Sequence, residues 1–206
     1  MTPAHSAAEC RGPDPSSQNT YSFSTPRLLI ELPEPADASV LYELVGGPDG
    51  KEVTAGLLWD GPDSISDIES WIEGCRVDPF DESGFNWVIR DASGDLTGTT
   101  GQAMGAIGTR PLGVPGRADV GYWLGYRYWG QGIMSEALSA LLRLGFDTLD
   151  YAKIEAEVFV GNVRGLRLVE SVGMSREGVV RRRRRKGGEW VDEAIYGVLP
   201  EELSDD

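Results

Sequence analysis

The chain has 206 residues, 40% of them hydrophobic, and a formal net charge of −14 from 33 acidic and 19 basic side chains. That length and apolar content supply one sizeable core and exclude disorder throughout. No apolar run approaches the ~20 residues of a membrane span, and an acidic surface disfavours nonspecific nucleic-acid binding while favouring cationic substrates such as amines, or solubility alone. Cys10 and Cys75 are too few for a disulfide framework or a zinc site, and His5, the sole histidine, argues against a histidine-containing triad. The N-terminus has no charged-then-apolar signal pattern, so a reducing cytoplasm is the expected location.

Residues 1–22 are rich in Pro, Ser, Ala and Gly and read as a flexible extension. The expected domain spans 23–200, with 201–206 as an acidic tail. It opens on a strand, Ser24–Ile30. Ala36–Val45 is a short helix ended by Gly46-Gly47-Pro48. A second helix starts at Ser64, with Asp67 in its first turn and Ile65, Ile68, Trp71 and Ile72 on one face. Phe85–Arg90 alternates as a strand and is followed by a turn. Gly98–Gly101 reads as loop, Met104–Thr109 as the next strand and Pro111–Arg117 as a turn. Ala118–Leu124 is a strand, and Ile133–Leu149 an amphipathic helix burying Ala137, Leu138, Leu141, Leu142 and Phe146. Lys153–Val160 is a strand with Ile154, Ala156, Val158 and Val160 facing one way. Val163–Val172 is a helix, and Ser175–Lys186, Gly187-Gly188 and Glu189–Leu199 form a final hairpin. This order predicts an α/β or α+β layered fold.

Residues 118–137 are the most informative. Gly130 and Gly132 fall where a strand-to-helix loop meets the helix. Glycine there permits close approach of a ligand, and the first turn of a helix offers free N–H groups, so the loop reads as an anion cradle. It is not a P-loop, because no Gly-Lys-Ser/Thr follows. It is not a dinucleotide fingerprint, because Ser135 stands where a third Gly is needed. An ordinary strand-turn-helix connection is the bland alternative.

The stretch Tyr128-Trp129-Gly130-Gln131-Gly132-Ile133-Met134-Ser135-Glu136-Ala137 resembles the GNAT acetyltransferases, and more closely their RimJ/RimL-type branch. Arg127–Gly132 also fits the superfamily loop literally, but the register beginning at Trp129 is preferred. Thr25-Pro26-Arg27-Leu28 is similar to the opening of RimJ/RimL-type domains, and Glu177-Gly178, the arginine run, Gly187, Asp192 and Tyr196 to their ending. The resemblance covers about residues 24–200. It implies a mixed, mostly antiparallel, splayed sheet with helices on both faces, acetyl-CoA as cosubstrate and no metal. It implies a small-molecule or peptide amine as acceptor and no membrane partner, and it allows a homodimer. The expected cofactor contacts are Trp123, Leu124, Trp129, Gly130, Gln131, Gly132, Ile133, Met134, Ser135 and Asn162. Asn162 is equally a plain helix N-cap.

Two departures bear on catalysis. Gly165 stands where the family often has a serine, which in some members can protonate the departing thiolate, and Arg181–Arg185 stand where some draw a carboxylate. Asp119 is the first candidate for the base, with Asp192 and Glu189 as alternatives and a plain sheet-edge role open to it. Tyr122, with Tyr126 or Tyr128 as alternatives, is the candidate proton donor, although packing is open to each. The arginine run reads either as an anion site or as a hairpin pairing with the chain's own carboxylates. A catalytically silent acyl-CoA-binding sensor or interaction module is the alternative to an N-acetyltransferase.

Overall fold

The computed structural model describes residues 22–77 and 84–203. The expected extension up to residue 21 and the last three tail residues lie outside them, as do His5 and Cys10. The described residues start with a hairpin, β1 (Ser22–Ser24) and β2 (Leu28–Glu31), where a single strand is expected; Pro26 breaks the run by removing a donor. A short 3-10 turn leads into α1 (Ala38–Gly46), then α2 (Gly50–Thr54) and α3 (Ile65–Val77). Helix α2 has no amphipathic signal because it is a single turn and a half. At the start of α3, the Asp67 carboxylate accepts the N–H groups of Asp63 and Ser64 at 2.8 and 3.0 Å. Strands β3 (Phe85–Asp91), β4 (Ala103–Pro111) and β5 (Arg117–Leu124) form an antiparallel meander. Next come α4 (Ile133–Asp147), β6 (Lys153–Phe159), α5 (Val163–Ser171), β7 (Ser175–Lys186) and β8 (Glu189–Val198).

The eight strands form one sheet in the order β1-β2-β3-β4-β5-β6-β8-β7, antiparallel except where β5 meets β6. That parallel pair is joined by α4, as a parallel neighbour requires a crossover. Adjacent residues on β3 divide between the two faces. Trp87 belongs to one buried cluster with Leu138, Leu141 and Leu142 of α4, whereas Val88 belongs to another with Leu41 and Val45 of α1 and Ile68 and Ile72 of α3. Helices therefore cover both faces, as expected. Two apolar positions differ from expectation: Phe146 is only half-buried, and Val160 is exposed because β6 ends one residue earlier.

The feature that makes the site is a parting of strands. Strand β5 pairs with β6 only at Arg117–Lys153, Ala118–Ile154 and Asp119–Glu155. Beyond that point β6 continues with β8 on its other side, and β5 stays with β4 through Leu124. Val120–Leu124 and Ala156–Phe159 thus diverge, and alternate backbone groups along the two inner edges are left facing a gap.

Candidate active site

Beyond the end of β5 the chain turns sharply. The Trp129 indole N–H donates to the Leu124 carbonyl at 2.7 Å across a 3-10 turn, Tyr126–Tyr128. Gly130 and Gly132 then take φ of 75° and 72°, the left-handed region that glycine enters without strain. Gly132 is the N-cap residue of α4, and no side chain caps it. The first helical bond runs from the Glu136 N–H to the Gly132 carbonyl at 3.1 Å, so the amides of Ile133, Met134 and Ser135 lie ahead of the helical ladder at the positive end of its dipole. A Cβ on Gly130 would meet open space, so the fold itself does not demand a bare backbone for room there. This is a cradle suited to a phosphoryl group.

The loop is clamped from behind by the β1–β2 turn. Arg27 Nε donates to Glu136 Oε2 at 2.6 Å, the Arg27 N–H to Oε1 at 3.1 Å and the Thr25 hydroxyl to Oε1 at 2.5 Å, while Arg27 Nη1 donates to the Gln131 carbonyl at 3.0 Å. Burial opposes ionisation of Glu136, but these donors prevail and hold it below its ordinary range. Thr-Pro-Arg-Leu and Ser-Glu-Ala are thus two halves of one interaction, which their separation in sequence conceals.

A cavity of about 1510 Å³ starts at this loop, enters the gap between β5 and β6 and reaches the β7–β8 hairpin. Tyr122, Trp123, Leu124, Trp129, Gly130, Gly132, Ile133, Met134, Ser135 and Asn162 all line it. So do residues not singled out from the sequence, Leu57 of the segment after α2, Phe159 at the end of β6 and Trp190 of the hairpin, together with Lys186 at the end of the basic run. Lys186 donates to the Trp59 carbonyl at 2.9 Å and pairs with Asp60 at 2.5 Å, tying the hairpin to the segment after α2. Arg164 lies over the Trp129 ring at 5.0 Å, within cation–π range.

Asn162 caps α5, its Oδ1 accepting the Gly165 N–H at 2.9 Å. Its amide also lies against Gly56, where a Cβ would collide with Nδ2. A Cβ on Gly165 would come within 2.8 Å of the same nitrogen and 2.9 Å of Val158. The missing serine is therefore matched by the way Asn162 fills the space.

Of the candidates named from the sequence, Gln131, Asp119 and Glu189 do not line the cavity, whereas Asp192, Tyr126 and Tyr128 do. The Gln131 side-chain amide folds back to donate to the Arg127 carbonyl at 3.2 Å. Asp119 lies on β5 before the strands part, and Arg110 holds both its oxygens, at 3.1 and 2.6 Å. A carboxylate engaged in this two-pronged way is poorly placed to collect a substrate proton. Tyr122 does line the cavity, and burial pushes its phenol well above the usual range. The arginine run is mostly consumed internally: Arg183 and Arg184 pair with Glu157 and Glu193, and Arg185 donates to the Gly188 carbonyl at 2.6 Å.

Residues 27–175 match the acetyltransferase (GNAT) domain family. The chain belongs to the GNAT family. Over 185 residues, covering 87% of this chain and 97% of its relative, it is 36% identical to the uncharacterized N-acetyltransferase p20 of Bacillus licheniformis. Its fold is similar to that of Mycobacterium smegmatis RimJ in complex with CoA-disulfide, with a TM-score of 0.76 and 22% identity over 87% of this chain and 85% of that one. It is similar also to the Microcin C7 self-immunity acetyltransferase MccE in complex with acetyl-CoA and AMP, with a TM-score of 0.73 and 21% identity over 85% and 93%. This GNAT chain is an N-acetyltransferase that uses acetyl-CoA. Among the described residues, no helix is long and apolar enough to cross a membrane, and no three His, Cys, Asp or Glu side chains are grouped to hold a metal ion.

Proposed function

We propose that the chain transfers the acetyl group of acetyl-CoA to a primary amine, of a protein N-terminus or a small molecule, by direct attack of the amine on the thioester. The observation that carries this is the continuity of the cavity from the α4 cradle through the strand gap to the β7–β8 hairpin. A cosubstrate lying along the first part would present its acyl end where an acceptor entering from the hairpin end arrives. Bound acetyl-CoA supplies the activated acyl carbon; the chain supplies orientation, and positioning alone accounts for much of the rate in such transfers.

In this reading the backbone amides of 129–135 hold the pyrophosphate, with Trp129, Ile133, Met134 and Ser135 around it and Asn162 beside the arm. Trp123 and Leu124 border the acyl end, where strand amides freed by the gap stabilise the developing oxyanion. Tyr122, which lines the cavity, is the proposed donor to the departing thiolate; a phenol carries its proton at neutral pH, and burial here holds that proton more tightly still. Both peptide and small-molecule amines are kept as acceptor classes.

The test is thiol release from acetyl-CoA with spermidine, L-lysine and an alanine-initiated peptide, with the acetylated product identified by mass. Thiol release matched by an amide product is expected with at least one. Tight CoA binding without turnover across the panel would instead mark an acyl-CoA-binding module.

A further inference from the structure

Among the described residues, ten large apolar side chains are exposed, and they are not scattered evenly. Tyr126, Val160, Val163 and Trp190 line the cavity, and Leu58 and Trp59 directly follow its lining residue Leu57. Exposed apolar residues standing singly need no explanation, but a group gathered around one cavity marks a binding surface. At the hairpin end the wall is Leu57, Tyr122, Phe159, Val160, Trp190 and Val191.

This end is framed by contacts that hold it open in a fixed shape. Segment 56–60 is fastened at two points on different elements. Gly56 lies against the Asn162 amide at the start of α5, where a Cβ would come within 2.4 Å of Nδ2. Trp59 and Asp60 take the Lys186 ammonium of the hairpin, through a carbonyl at 2.9 Å and a carboxylate at 2.5 Å. Leu57 falls between these fixings. Trp190 is the most exposed of the apolar group, at 57%, yet it is not loose. The Arg185 guanidinium lies over its ring at 5.6 Å and is itself pinned by donating to the Gly188 carbonyl at 2.6 and 3.2 Å. An indole already positioned, with more than half of its surface in water, gains from a ligand that covers it and loses little freedom in the process.

The charge lining the cavity is not what the composition suggests. Of the chain's 33 acidic residues, Glu52 and Asp192 are the ones that line it among the described residues, beside Arg127, Arg164, Arg167 and Lys186. Asp192 Oδ1 already receives the Arg182 N–H at 2.7 Å, across the bulge in β7 between Val180 and Arg184. Every ammonium that a polyamine brings out of water needs a partner, and two carboxylates, one of them engaged, make no array for a polycation. The net charge of −14 is carried elsewhere on the molecule.

We propose that the hairpin end selects an acceptor whose primary amine stands two carbons from an aromatic ring, with Trp190 as the specificity-determining side chain. This rests on the acetyl-transfer reading above. Such an acceptor brings one ammonium and an apolar body. Its ring covers Trp190, Leu57 and Val160, while its amine continues towards Trp123 and Leu124. A free arylalkylamine and a polypeptide that begins with phenylalanine offer the same spacing of amine and ring.

The experiment measures kcat and KM of the full chain by thiol release at saturating acetyl-CoA, with each product identified by mass. The acceptors are 2-phenylethylamine, a phenylalanine-initiated peptide, the same peptide with alanine first, L-lysine and spermidine. One of the two ring-bearing acceptors is expected to exceed every other by at least about 10-fold in kcat/KM, on the scale of an aromatic contact together with the area it buries. Which of the two leads tells a free amine from a polypeptide terminus as the source. For that acceptor, Trp190→Ala should raise KM about 10-fold and leave kcat nearly unchanged, the pattern of binding lost equally from ground and transition states. Trp190→Phe should stay within about 3-fold of the unaltered KM, because a ring is kept. A ring-free acceptor in the lead, or a KM unmoved by Trp190→Ala, overturns the selectivity and leaves acetyl transfer standing. No thiol release with any of the five acceptors overturns the acetyl-transfer reading, and the selectivity with it.

Discussion

Gly132 adopts φ of 72° at the point where β5's turn becomes α4, and the nearest atom to a Cβ placed there is Arg27 Nη2 at 3.6 Å. Space is available, so conformation rather than crowding selects glycine. A β-branched side chain resists the left-handed region by about 1–2 kcal/mol, and it would relieve that strain by turning the peptide that aims the loop amides. Gly132→Val is therefore expected to leave the far-ultraviolet circular dichroism unchanged and to weaken CoA binding by at least about 10-fold, equivalent to ~1.4 kcal/mol, in calorimetry. Gln131→Ala should change affinity far less, because that side chain is turned away to the Arg127 carbonyl. A valine variant with normal CoA affinity would remove the cradle from the proposed site. The backbone of this junction was legible in the sequence, because Gly130 and Gly132 mark a strand-to-helix turn that uses the left-handed region. The base was not. Asp119 has the right residue type on the right strand, but its engagement depends on Arg110, opposite it on β4, and a cross-strand pair is visible only once the register is known.

At the scale of elements, the strand and helix order could be read from hydrophobic period and turn residues, and most predicted segments match the observed ones within two residues. The exceptions are informative. The β1–β2 hairpin hides in one apolar run, and α2 is too short to show a period. The bulge in β7 is invisible because arginine carries no turn signal; its cause is tertiary, two carboxylates on β6 and β8 capturing adjacent guanidinium groups. The clamp between the β1–β2 turn and α4 belongs to the same class, since it joins residues 109 positions apart. It also yields a prediction. Arg27→Ala removes the charge-assisted bonds to Glu136 and the tie to the Gln131 carbonyl, leaving Thr25 as the remaining side-chain donor on that carboxylate. The Arg27 side chain is 41% exposed, so solvent screens the pair and the stability loss in a urea melt should be only about 1 kcal/mol. CoA affinity should nevertheless fall by about 3–10-fold, 0.6–1.4 kcal/mol, because the loop loses a restraint that pre-organises its amides. An affinity unchanged alongside the expected stability loss would make the clamp a matter of folding alone.

For the whole molecule, the few strongly placed carboxylates divide by sign, and the division sets how stability follows pH. Asp91 is fully buried; burial opposes its ionisation, but the N–H groups of Gly94, Leu96 and Thr97 and the Thr97 hydroxyl outweigh it and hold it below its ordinary range. Glu136 is lowered in the same way by Thr25 and Arg27. Carboxylates depressed by folding contribute stability that is present above their unfolded values, about 3.9 for Asp and 4.3 for Glu, and lost as pH falls through the lower folded values. Glu193 has the opposite sign. Raised by burial and by Glu157, it favours the folded state when protonated, and that contribution disappears as pH rises from the unfolded value through the folded one. Stability should therefore increase on mild acidification from neutrality and collapse only below about pH 4, where Asp91 and Glu136 take up protons. Thermal melts of the full chain and two variants across pH 3–8 separate the contributions. Glu193→Gln should abolish the gain on mild acidification while keeping the acid collapse, and Glu136→Gln should keep the gain and make the collapse shallower. If the glutamine at 193 leaves the upper part of the curve unchanged, Glu193 is not the source of the gain on mild acidification, and this stability profile fails.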